Sequence, residues 1–207
     1  MKERLDILLV KSGFFESKEK AQRAIMAGLV IVNDKRIDKS GTFIKLDKDP
    51  VIRIKGEVSK YVSRGGLKLE KALQVFGMKL TEKTILDVGA STGGFTDCLL
   101  QNGVGFVYAM DVGTNQLDWK LRNDDRVKSI ENTHIKDLTE NDLDNKKMDY
   151  IVMDVSFISI TKVLEYLVKF CQPETKLMAL IKPQFETDRE YIEKGGIVKD
   201  TGQHIKA

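Results

Sequence analysis

From Ser63 onward, strand-type and helix-type segments alternate along the chain, and this alternation restricts the fold more than any other feature. Four runs of residues that favour buried strands lie at 84–88, 106–111, 150–154 and 177–181. Helical patterns precede or separate these runs, at 64–76, 95–102 and 160–170. Strands that are connected through helices run parallel, so we predict a doubly wound α/β domain whose sheet is covered by helices on both faces.

The junction between the first of these strands and the helix after it is rich in glycine. It reads Asp87-Val88-Gly89-Ala90-Ser91-Thr92-Gly93-Gly94-Phe95. Open parallel sheets bind their ligands at such strand ends. Glycine lets the backbone turn tightly there and approach a ligand without interference from a Cβ atom. We therefore predict that this loop binds a cofactor.

The spacing of the loop discriminates between cofactors. A phosphate-binding P-loop continues with lysine after its last glycine, whereas Phe95 stands at that position. The glycines at 89, 93 and 94 do not match the dinucleotide pattern G-x-G-x-x-G either. An acid followed by a glycine-rich turn is similar to the first motif of S-adenosylmethionine methyltransferases. That resemblance implies that Asp87 and the residues from Gly89 to Phe95 bind S-adenosylmethionine.

Asp111, at the end of the next predicted strand, is the residue that we expect to bind the cofactor's ribose. S-adenosylmethionine has no phosphate, so its ribose hydroxyls and its methionine groups are its polar features. Asp111 lies 22 residues beyond Gly89, close to the ~20-residue offset of ribose-binding acids. The alternative is an acid that only caps the following loop. For the adenine edge, Asp137 and the Glu131–Asn132 pair are candidates.

The basic residues of the chain are concentrated at its beginning. Residues 1–60 contain 14 Lys and Arg against 9 Asp and Glu, a net charge of +5, whereas residues 61–207 contain 20 against 22, a net charge of −2. A module that binds a polyanion, next to a nearly neutral body, is one interpretation of this split. An ordinary solvated surface is the other.

The order of elements in this basic segment predicts a small α+β domain. A helix at 4–11 is followed by a second helix with Ser17 as its N-cap and Gly28 as its stop. Strands at 29–32 and 51–54, a turn at 33–35 and a linker at 56–59 complete the pattern. We place the domain boundaries at 1–58 and 63–207.

This segment resembles the RNA-binding module named after ribosomal protein S four. The stretches that carry the resemblance are Arg4-Leu5-Asp6, the run from Ser17 to Ala21, and the run from Ala27 to Asn33. The resemblance implies that basic residues at the start of the segment, on its second helix and after the following turn face RNA. These residues are Arg4, Lys18, Lys20, Arg23, Lys35 and Arg36.

Four motifs in the second part of the chain together resemble the TlyA family. They are Ser63-Arg64-Gly65-Gly66-Leu67-Lys68-Leu69, the 87–95 loop, Met153-Asp154-Val155-Ser156-Phe157 and Ile181-Lys182-Pro183-Gln184-Phe185. TlyA proteins join the RNA-binding module to an FtsJ-like methyltransferase domain of Rossmann-like fold. The resemblance implies 2′-O-methylation of ribosomal RNA, with ribosomal subunits as partners. Members of the family are also known as haemolysins.

The FtsJ-like group uses a Lys-Asp-Lys-Glu tetrad, and the resemblance implies that Lys68, Asp154 and Lys182 are its first three members. Transfer of a methyl group to a ribose hydroxyl requires a base, because the hydroxyl loses its proton. A lysine can serve as that base when burial and a neighbouring cation lower its pKa. We expect Lys182 to be the base, Lys68 the neighbouring cation and Asp154 the residue that orients the ammonium. Asp154 and Lys182 both follow predicted parallel strands, which supports their meeting in one site.

The motif of the fourth residue, a glutamate, is not found before Ala207. The final strands of the family's sheet are also missing, so we expect a truncated chain whose own activity is in doubt. A ribosome-binding or assembly factor without catalytic activity is an alternative function, and a membrane-lysing haemolysin is another.

We expect a cytoplasmic protein that has neither a membrane segment nor a structural metal. The first six residues include acids and lack the apolar core of a secretory signal. No apolar run approaches the ~18 residues of a membrane helix. Cys98 and Cys171 stand far apart without metal-ligand spacing, which favours reduced thiols.

Overall fold

A computed structural model of the chain describes residues 2–48, 50–55 and 60–207. The chain divides into two compact units, 1–59 and 60–207. The predicted linker at 56–59 lies outside the described residues, so the predicted domain limits of 1–58 and 63–207 stay predictions. The first unit has one hydrophobic core and the second has two.

The first unit packs two helices against short antiparallel strands. Its elements are β1 (Lys2–Arg4), α1 (Leu5–Lys11), α2 (Lys18–Met26), β2 (Val30–Val32), β3 (Lys35–Ile37), β4 (Phe43–Lys45) and β5 (Ile52–Ile54). β1 pairs with β4, and β2 lies between β3 and β5. The core contains Leu5 and Leu9 of α1, Ala24 and Ile25 of α2, and Val30 of β2. This is the predicted α+β domain.

The sequence pattern located the helices of this unit better than its strands. Ser17 caps α2 as predicted, because its Oγ accepts a hydrogen bond from the backbone N–H of Lys20. The turn consists of Asn33 and Asp34, both with left-handed φ angles of 49° and 63°. Lys35, which we assigned to the turn, begins β3, and Arg4, which we assigned to the first helix, ends β1. Strands of three residues are too short to show the alternation that predicts a strand.

The buried carboxylate of Asp6 holds the beginning of this unit together. It accepts two hydrogen bonds from the Arg4 guanidinium, at 3.1 and 2.8 Å, and one from the Gln22 amide on α2, at 2.8 Å. Chiefly because of the bonds from Arg4, and against the effect of burial, the pKa of Asp6 is lowered to about 2. A folded-state pKa below the ordinary value means that the charged carboxylate stabilises the unit.

We predict that Asp6→Asn lowers the free energy of unfolding at pH 7 by about 2–3 kcal/mol, as expected for a pKa shift of this size. The contribution of Asp6 is complete above pH ~4 and is lost as the pH falls through about 2. Urea unfolding of the whole chain by circular dichroism, with hydrogen exchange of the α1 amides to locate the change, measures the loss. Asp38→Asn, at an exposed acid of the same unit, is the control. The prediction would be contradicted if Asp6→Asn and the unaltered protein differed in free energy of unfolding by the same amount at pH 7 and at pH 2.

The second unit contains a five-stranded parallel sheet with helices on both faces. Its elements are α3 (Gly65–Phe76), β6 (Thr84–Val88), α4 (Gly94–Gln101), β7 (Phe106–Met110), α5 (Trp119–Arg122), β8 (Val127–Ile130), β9 (Tyr150–Met153), α6 (Ile160–Leu167), β10 (Lys176–Ala179), α7 (Pro183–Glu186) and α8 (Thr201–Lys206). The strand order is β10-β9-β6-β7-β8. The order reverses at β6, so a ligand crevice is expected at its carboxyl end. The predicted doubly wound fold is confirmed.

Alternate side chains of the strands enter two separate cores. Ile85, Val107 and Val152 pack on the face that α3 and α4 cover. Leu86, Tyr108 and Ile151 pack on the opposite face, together with Val163 and Leu167 of α6. The sequence pattern did not predict β8. Its residues, Val-Lys-Ser-Ile, are only partly buried and include a lysine, so they lack the apolar run of the other strands.

The helices within 2–48, 50–55 and 60–207 are all short. The longest, α3, has 12 residues. None has the length and apolar character that a bilayer crossing demands.

Candidate active site

The glycine-rich loop leaves β6 at its carboxyl end and bends around the end of β7. The backbone N–H groups of Gly89 and Ala90 both donate to the carbonyl of Met110, at 2.9 Å each. The loop takes up left-handed φ angles at Gly89 (80°), Ser91 (49°) and Gly93 (92°). A Cβ atom on Gly89 would lie 3.2 Å from Val155 Cγ1, a tight approach that adds to the preference of this left-handed position for glycine.

Asp87 and Gly93 support the loop from inside. Asp87 is almost fully buried, and its Oδ2 accepts a 2.7 Å hydrogen bond from Thr96 Oγ1 on α4. Burial raises the pKa of Asp87 to about 7, although the Thr96 hydroxyl acts in the opposite direction. We predicted both residues as cofactor contacts, but neither lines the two clefts at this sheet edge. Asp87 instead joins β6 to α4, and Gly93 begins α4 in a left-handed conformation.

Asp111 lies at one of these clefts, which we name the Asp111 cleft. Its volume is about 780 Å³, and its wall includes Gly89, Ser91, Asp111, His134 and Ile135. Asp111 Oδ2 accepts from the Ser91 N–H and Oδ1 from the Gly113 N–H, both at 2.7 Å. The loop thereby fixes the carboxylate. Each carboxylate oxygen accepts up to about two hydrogen bonds, so both oxygens retain capacity for ligand hydroxyls.

Glu131, which we considered for the adenine edge, binds a neighbouring loop of the protein. Its carboxylate accepts hydrogen bonds from the backbone N–H groups of Asn115, Gln116 and Leu117 and pairs with Arg122 at 2.8 Å. It organises the loop after Asp111 and does not line the cleft. Asn132 and Asp137 are also absent from the wall. Between Asn132 and Asp137, His134 and Ile135 line the cleft.

Lys68, Asp154 and Lys182 meet at the carboxyl ends of β9 and β10. Lys68 Nζ lies 2.9 Å from Asp154 Oδ2, and Lys182 Nζ lies 2.6 Å from Asp154 Oδ1. Burial acts to raise the pKa of Asp154, but the ammonium groups of Lys182 and Lys68 outweigh it and hold the pKa below its ordinary value. The side chains of Asp154 and Lys182 are 17% exposed and that of Lys68 is 47% exposed, so Lys182 is the more enclosed lysine.

This triad lines a second cleft, the Lys68 cleft, of about 570 Å³. Lys68, Asp154 and Lys182 contribute to its wall together with Arg64 of the Ser-Arg-Gly-Gly motif. The loop residues Gly89 to Thr92, Gly94 and Phe95 line it as well. The Lys68 cleft and the Asp111 cleft have Gly89, Ser91, Asp154 and Ser156 in common. A ligand in one cleft therefore lies next to a ligand in the other.

Two functional candidates next to Asp154 were not singled out from the sequence. Ser156 Oγ accepts a 2.6 Å hydrogen bond from Lys182 Nζ. Phe157 has a left-handed φ of 65° and a side chain that is 91% exposed, at the mouth of the Asp111 cleft. Its ring lies 5.3 Å from that of Phe185. The sequence does contain a signal for these two residues, because the polar Ser156 and the large apolar Phe157 stand next to each other in the loop that follows the buried strand β9.

The basic residues predicted to face RNA have unequal surroundings in the first unit. Arg4 pairs with Asp6, and Lys20 pairs with Glu16 just before its own helix. Arg23 is half-buried, whereas Lys18, Lys35 and Arg36 are exposed. The Arg36 guanidinium lies across Gly28 at the end of α2, where any side chain would collide with it. Arg36 of β3 therefore lies beside the end of α2, the helix that carries Lys18, Lys20 and Arg23.

Comparisons with known proteins show the family of the chain. Residues 61–204 match the family of FtsJ-like methyltransferases, and residues 3–49 match the S4 domain. The "16S/23S rRNA (cytidine-2′-O)-methyltransferase TlyA" of Mycobacterium tuberculosis is 38% identical over 197 residues, which cover 95% of this chain and 73% of that protein. The chain belongs to the TlyA family of FtsJ-like methyltransferases. The predicted family is thus confirmed, and the chain is an enzyme of the methyltransferase class.

Other TlyA relatives are more similar in sequence. The "Putative rRNA methyltransferase YqxC" of Bacillus subtilis (strain 168) is 51% identical over 98% of this chain and 72% of its own length. Among solved structures, a "Putative hemolysin from Streptococcus thermophilus" is 49% identical, with a TM-score of 0.71 over 99% of this chain and 74% of that one. The similarity therefore extends over both units.

Another cavity, of about 710 Å³, lies at the opposite edge of the TlyA-type sheet. Lys83, Asp149 and Lys176 in its wall precede or begin strands β6, β9 and β10. Sheets of this class bind their ligands at the carboxyl ends of the strands. The catalytic candidates Asp154 and Lys182 also follow the carboxyl ends of their strands. The two clefts around Asp154 are therefore the candidate ligand sites, and the 710 Å³ cavity is not.

We predict that Gly94→Ala destabilises the second unit, because α3 and α4 approach each other through glycine. A Cβ atom on Gly94 would lie 2.9 Å from the backbone nitrogen of Gly66 and collide with Ser63 Oγ. Overpacking of this kind costs about 1–3 kcal/mol, measurable as a lower midpoint of thermal unfolding. Gly65→Ala is the matched control, since its Cβ would approach no heavy atom closer than 3.4 Å. Equal midpoints of thermal unfolding for Gly94→Ala and Gly65→Ala would contradict the close approach of α3 and α4 at Gly94.

Proposed function

We propose that this chain transfers a methyl group from S-adenosylmethionine to the 2′-hydroxyl of a ribose in ribosomal RNA. The observation that carries the proposal is the Lys68–Asp154–Lys182 triad, which lines the Lys68 cleft and shares Asp154 with the Asp111 cleft. The relative from M. tuberculosis is named for cytidine-2′-O methylation of 16S and 23S rRNA, which supports the same reaction here.

The Asp111 cleft suits S-adenosylmethionine. Its volume of about 780 Å³ lies within the ~300–1,000 Å³ typical of ligand sites. Asp111 offers two acceptor oxygens to the ribose hydroxyls, and the Gly89 loop presents backbone without side chains to the neighbouring part of the ligand. When bound, this cofactor supplies an electrophilic methyl group on a positively charged sulfur. Of the predicted cofactor residues, Gly89, Ser91 and Asp111 line this cleft, and we assign direct contact to these three. Ala90, Thr92, Gly94 and Phe95 line only the neighbouring Lys68 cleft.

The triad handles the proton of the ribose hydroxyl. One carboxylate, Asp154, faces the two ammonium groups of Lys68 and Lys182, which leaves a net charge of +1 on the three side chains. In a partly enclosed site this excess charge stabilises the negative charge that develops on the hydroxyl oxygen. We assign the hydroxyl proton to Lys182, the more enclosed lysine. Its ammonium first gives one proton to water. The neutral amine then takes the hydroxyl proton as the oxygen–carbon bond forms and the carbon–sulfur bond breaks, which restores the charge of +1. Ser156 holds the Nζ of Lys182 in place.

The surroundings of the triad favour a nucleic acid as the methyl acceptor. The Lys68 cleft contains three cationic side chains, Arg64, Lys68 and Lys182, against one carboxylate. An excess of positive charge suits the phosphates on either side of a ribose. The exposed ring of Phe157 at the adjoining mouth offers a flat face on which an unstacked base could lie, as single-stranded RNA requires.

The first unit provides RNA affinity apart from the active site. It matches the S4 domain, and the net charge of +5 over residues 1–60 suits a polyanion. We propose that Lys18, Lys20, Arg23, Lys35 and Arg36 contact ribosomal RNA. Arg4 is bound to buried Asp6, so its contribution to RNA contact is the smallest of the six. This substrate implies a cytoplasmic protein.

We predict that Lys182→Ala lowers the turnover of methyl transfer by at least about 10²-fold, the loss expected from removing a general base. The dissociation constant for S-adenosylmethionine should remain unchanged, because Lys182 lines only the Lys68 cleft. Transfer of tritiated methyl groups to ribosomal RNA measures the first quantity, and calorimetry measures the second.

Lys83→Ala is the control for this variant. Lys83 forms an ion pair of the same length as Lys68–Asp154, 2.9 Å to Asp149, but at the opposite edge of the sheet. Because this control also removes a lysine from an ion pair with aspartate, it tests whether the position of the lysine matters. Full turnover by Lys182→Ala would refute the assigned role. Tight binding to ribosomal subunits with no binding of S-adenosylmethionine by the unaltered protein would favour an assembly factor.

We predict that the double variant Lys35→Ala/Arg36→Ala binds ribosomal RNA more weakly without loss of cofactor binding. Removing two phosphate contacts should reduce the slope of log affinity against log salt concentration by about 1.4–1.8. Filter binding at several salt concentrations gives this slope. The control is Lys11→Ala/Lys45→Ala, which removes two lysines of the same unit on α1 and β4. An equal reduction in slope for both double variants would show that the contact is not specific to β3.

A further inference from the structure

Glu186 joins the two segments that carry the catalytic candidates. It ends α7, the single helical turn that follows Lys182. Its Oε2 accepts a 2.6 Å hydrogen bond from Ser159 Oγ, and its Oε1 accepts a 2.8 Å hydrogen bond from the backbone N–H of Ile160. Ser159 and Ile160 begin α6, directly after the segment that contains Asp154, Ser156 and Phe157.

The chain between Lys182 and Glu186 transmits the position of one residue to the other. Pro183 restricts the backbone of Lys182 to its extended conformation, with φ −119° and ψ 99°. The N–H of Phe185 donates to the carbonyl of Lys182 at 2.9 Å, which closes the turn. An anchor on Glu186 therefore limits the rotation of the whole turn, including the Lys182 side chain.

A second cross-link joins the same two segments closer to the triad. Lys182 Nζ donates to Ser156 Oγ and pairs with Asp154, and the rings of Phe185 and Phe157 lie 5.3 Å apart. One contact point would leave the two segments free to pivot about it. Two points separated by a helical turn fix their orientation as well as their distance.

We propose that Glu186 is a positioning residue for the methyl transfer, which holds Lys182 against Asp154 and Phe185 against Phe157 by anchoring α7 to the start of α6. The inference rests on the proposed function. Glu186 acts through Lys182 and the Phe157 segment and is not assigned a contact with substrate. Its carboxylate also faces the N-terminus of α6, where a negative charge is favourable.

The test compares Glu186→Ala, Glu186→Gln and Asp142→Ala in the whole chain. Asp142 is a matched control, because its Oδ2 likewise accepts one backbone N–H, at 2.8 Å, and one hydroxyl, at 2.6 Å, both from Thr139. Asp142 lies away from both clefts. The measurements are kcat for methyl transfer to ribosomal RNA, the dissociation constant for S-adenosylmethionine, and hydrogen exchange at the amides of residues 157–161.

In Glu186→Ala, we expect kcat to fall by about 10- to 100-fold, because small displacements of catalytic groups have effects of this size. Cofactor affinity should fall less than kcat, since Asp111 and Gly89 keep their positions and only Phe157 and Phe185 in the wall of the Asp111 cleft are released. Exchange at 157–161 should accelerate. Glu186→Gln should recover most of the turnover, because an amide can accept from Ile160 and donate to Ser159. Asp142→Ala should leave turnover and this exchange unchanged.

Unchanged kcat in Glu186→Ala would overturn the proposal, as would a loss of turnover that Asp142→Ala reproduces. The exchange measurement separates this inference from the proposed function. If the unaltered protein transfers no methyl group to ribosomal RNA, the proposed function fails, while accelerated exchange in Glu186→Ala alone still supports the anchor. Exchange at 157–161 that is the same in all variants overturns the anchor whatever the activity.

Discussion

The sharing of one carboxylate between two ammonium groups is the interaction on which the candidate site depends. Asp154 follows β9, Lys182 follows β10, and Lys68 comes from α3, so the two ion pairs connect three parts of the second unit. The attraction of both lysines to Asp154 outweighs the cost of burying it and keeps its pKa low. Because one negative charge faces two positive charges, the pairing also leaves an excess positive charge where a hydroxyl would lose its proton.

The glycines around this site allow backbone segments to lie closer than side chains would permit. Gly94 at the start of α4 approaches Gly66 in the first turn of α3, and Gly89 approaches Val155 after β9. These contacts bring the helix that carries Lys68 and the segment that carries Asp154 to the same loop. The loop therefore serves as much to assemble the triad as to present backbone to a ligand.

Much of the fold followed from periodicity, because the long segments of the second unit repeat their apolar pattern several times. β8 and the three-residue strands β1, β3 and β4 did not, because three or four residues are too few to repeat an apolar pattern. In addition, β1 and β4 pair with each other from distant parts of the chain. The same limit applies to the site. Glu131 looked like a ligand contact, yet it accepts three backbone N–H groups of the loop that follows Asp111. Residue type alone does not reveal which partners a carboxylate finds.

The sequence by itself determined the alternation of the main helices and strands, the glycine loop, the family and the three catalytic candidates, since these depend on local pattern and motif spacing. Only the tertiary structure decided which side chains contact one another. It buried Asp87 beneath the loop, exposed Phe157, and brought Glu186 to the start of α6, 26 residues earlier in the chain. Such contacts arise from the packing of distant segments, whose energetics no short stretch of sequence records.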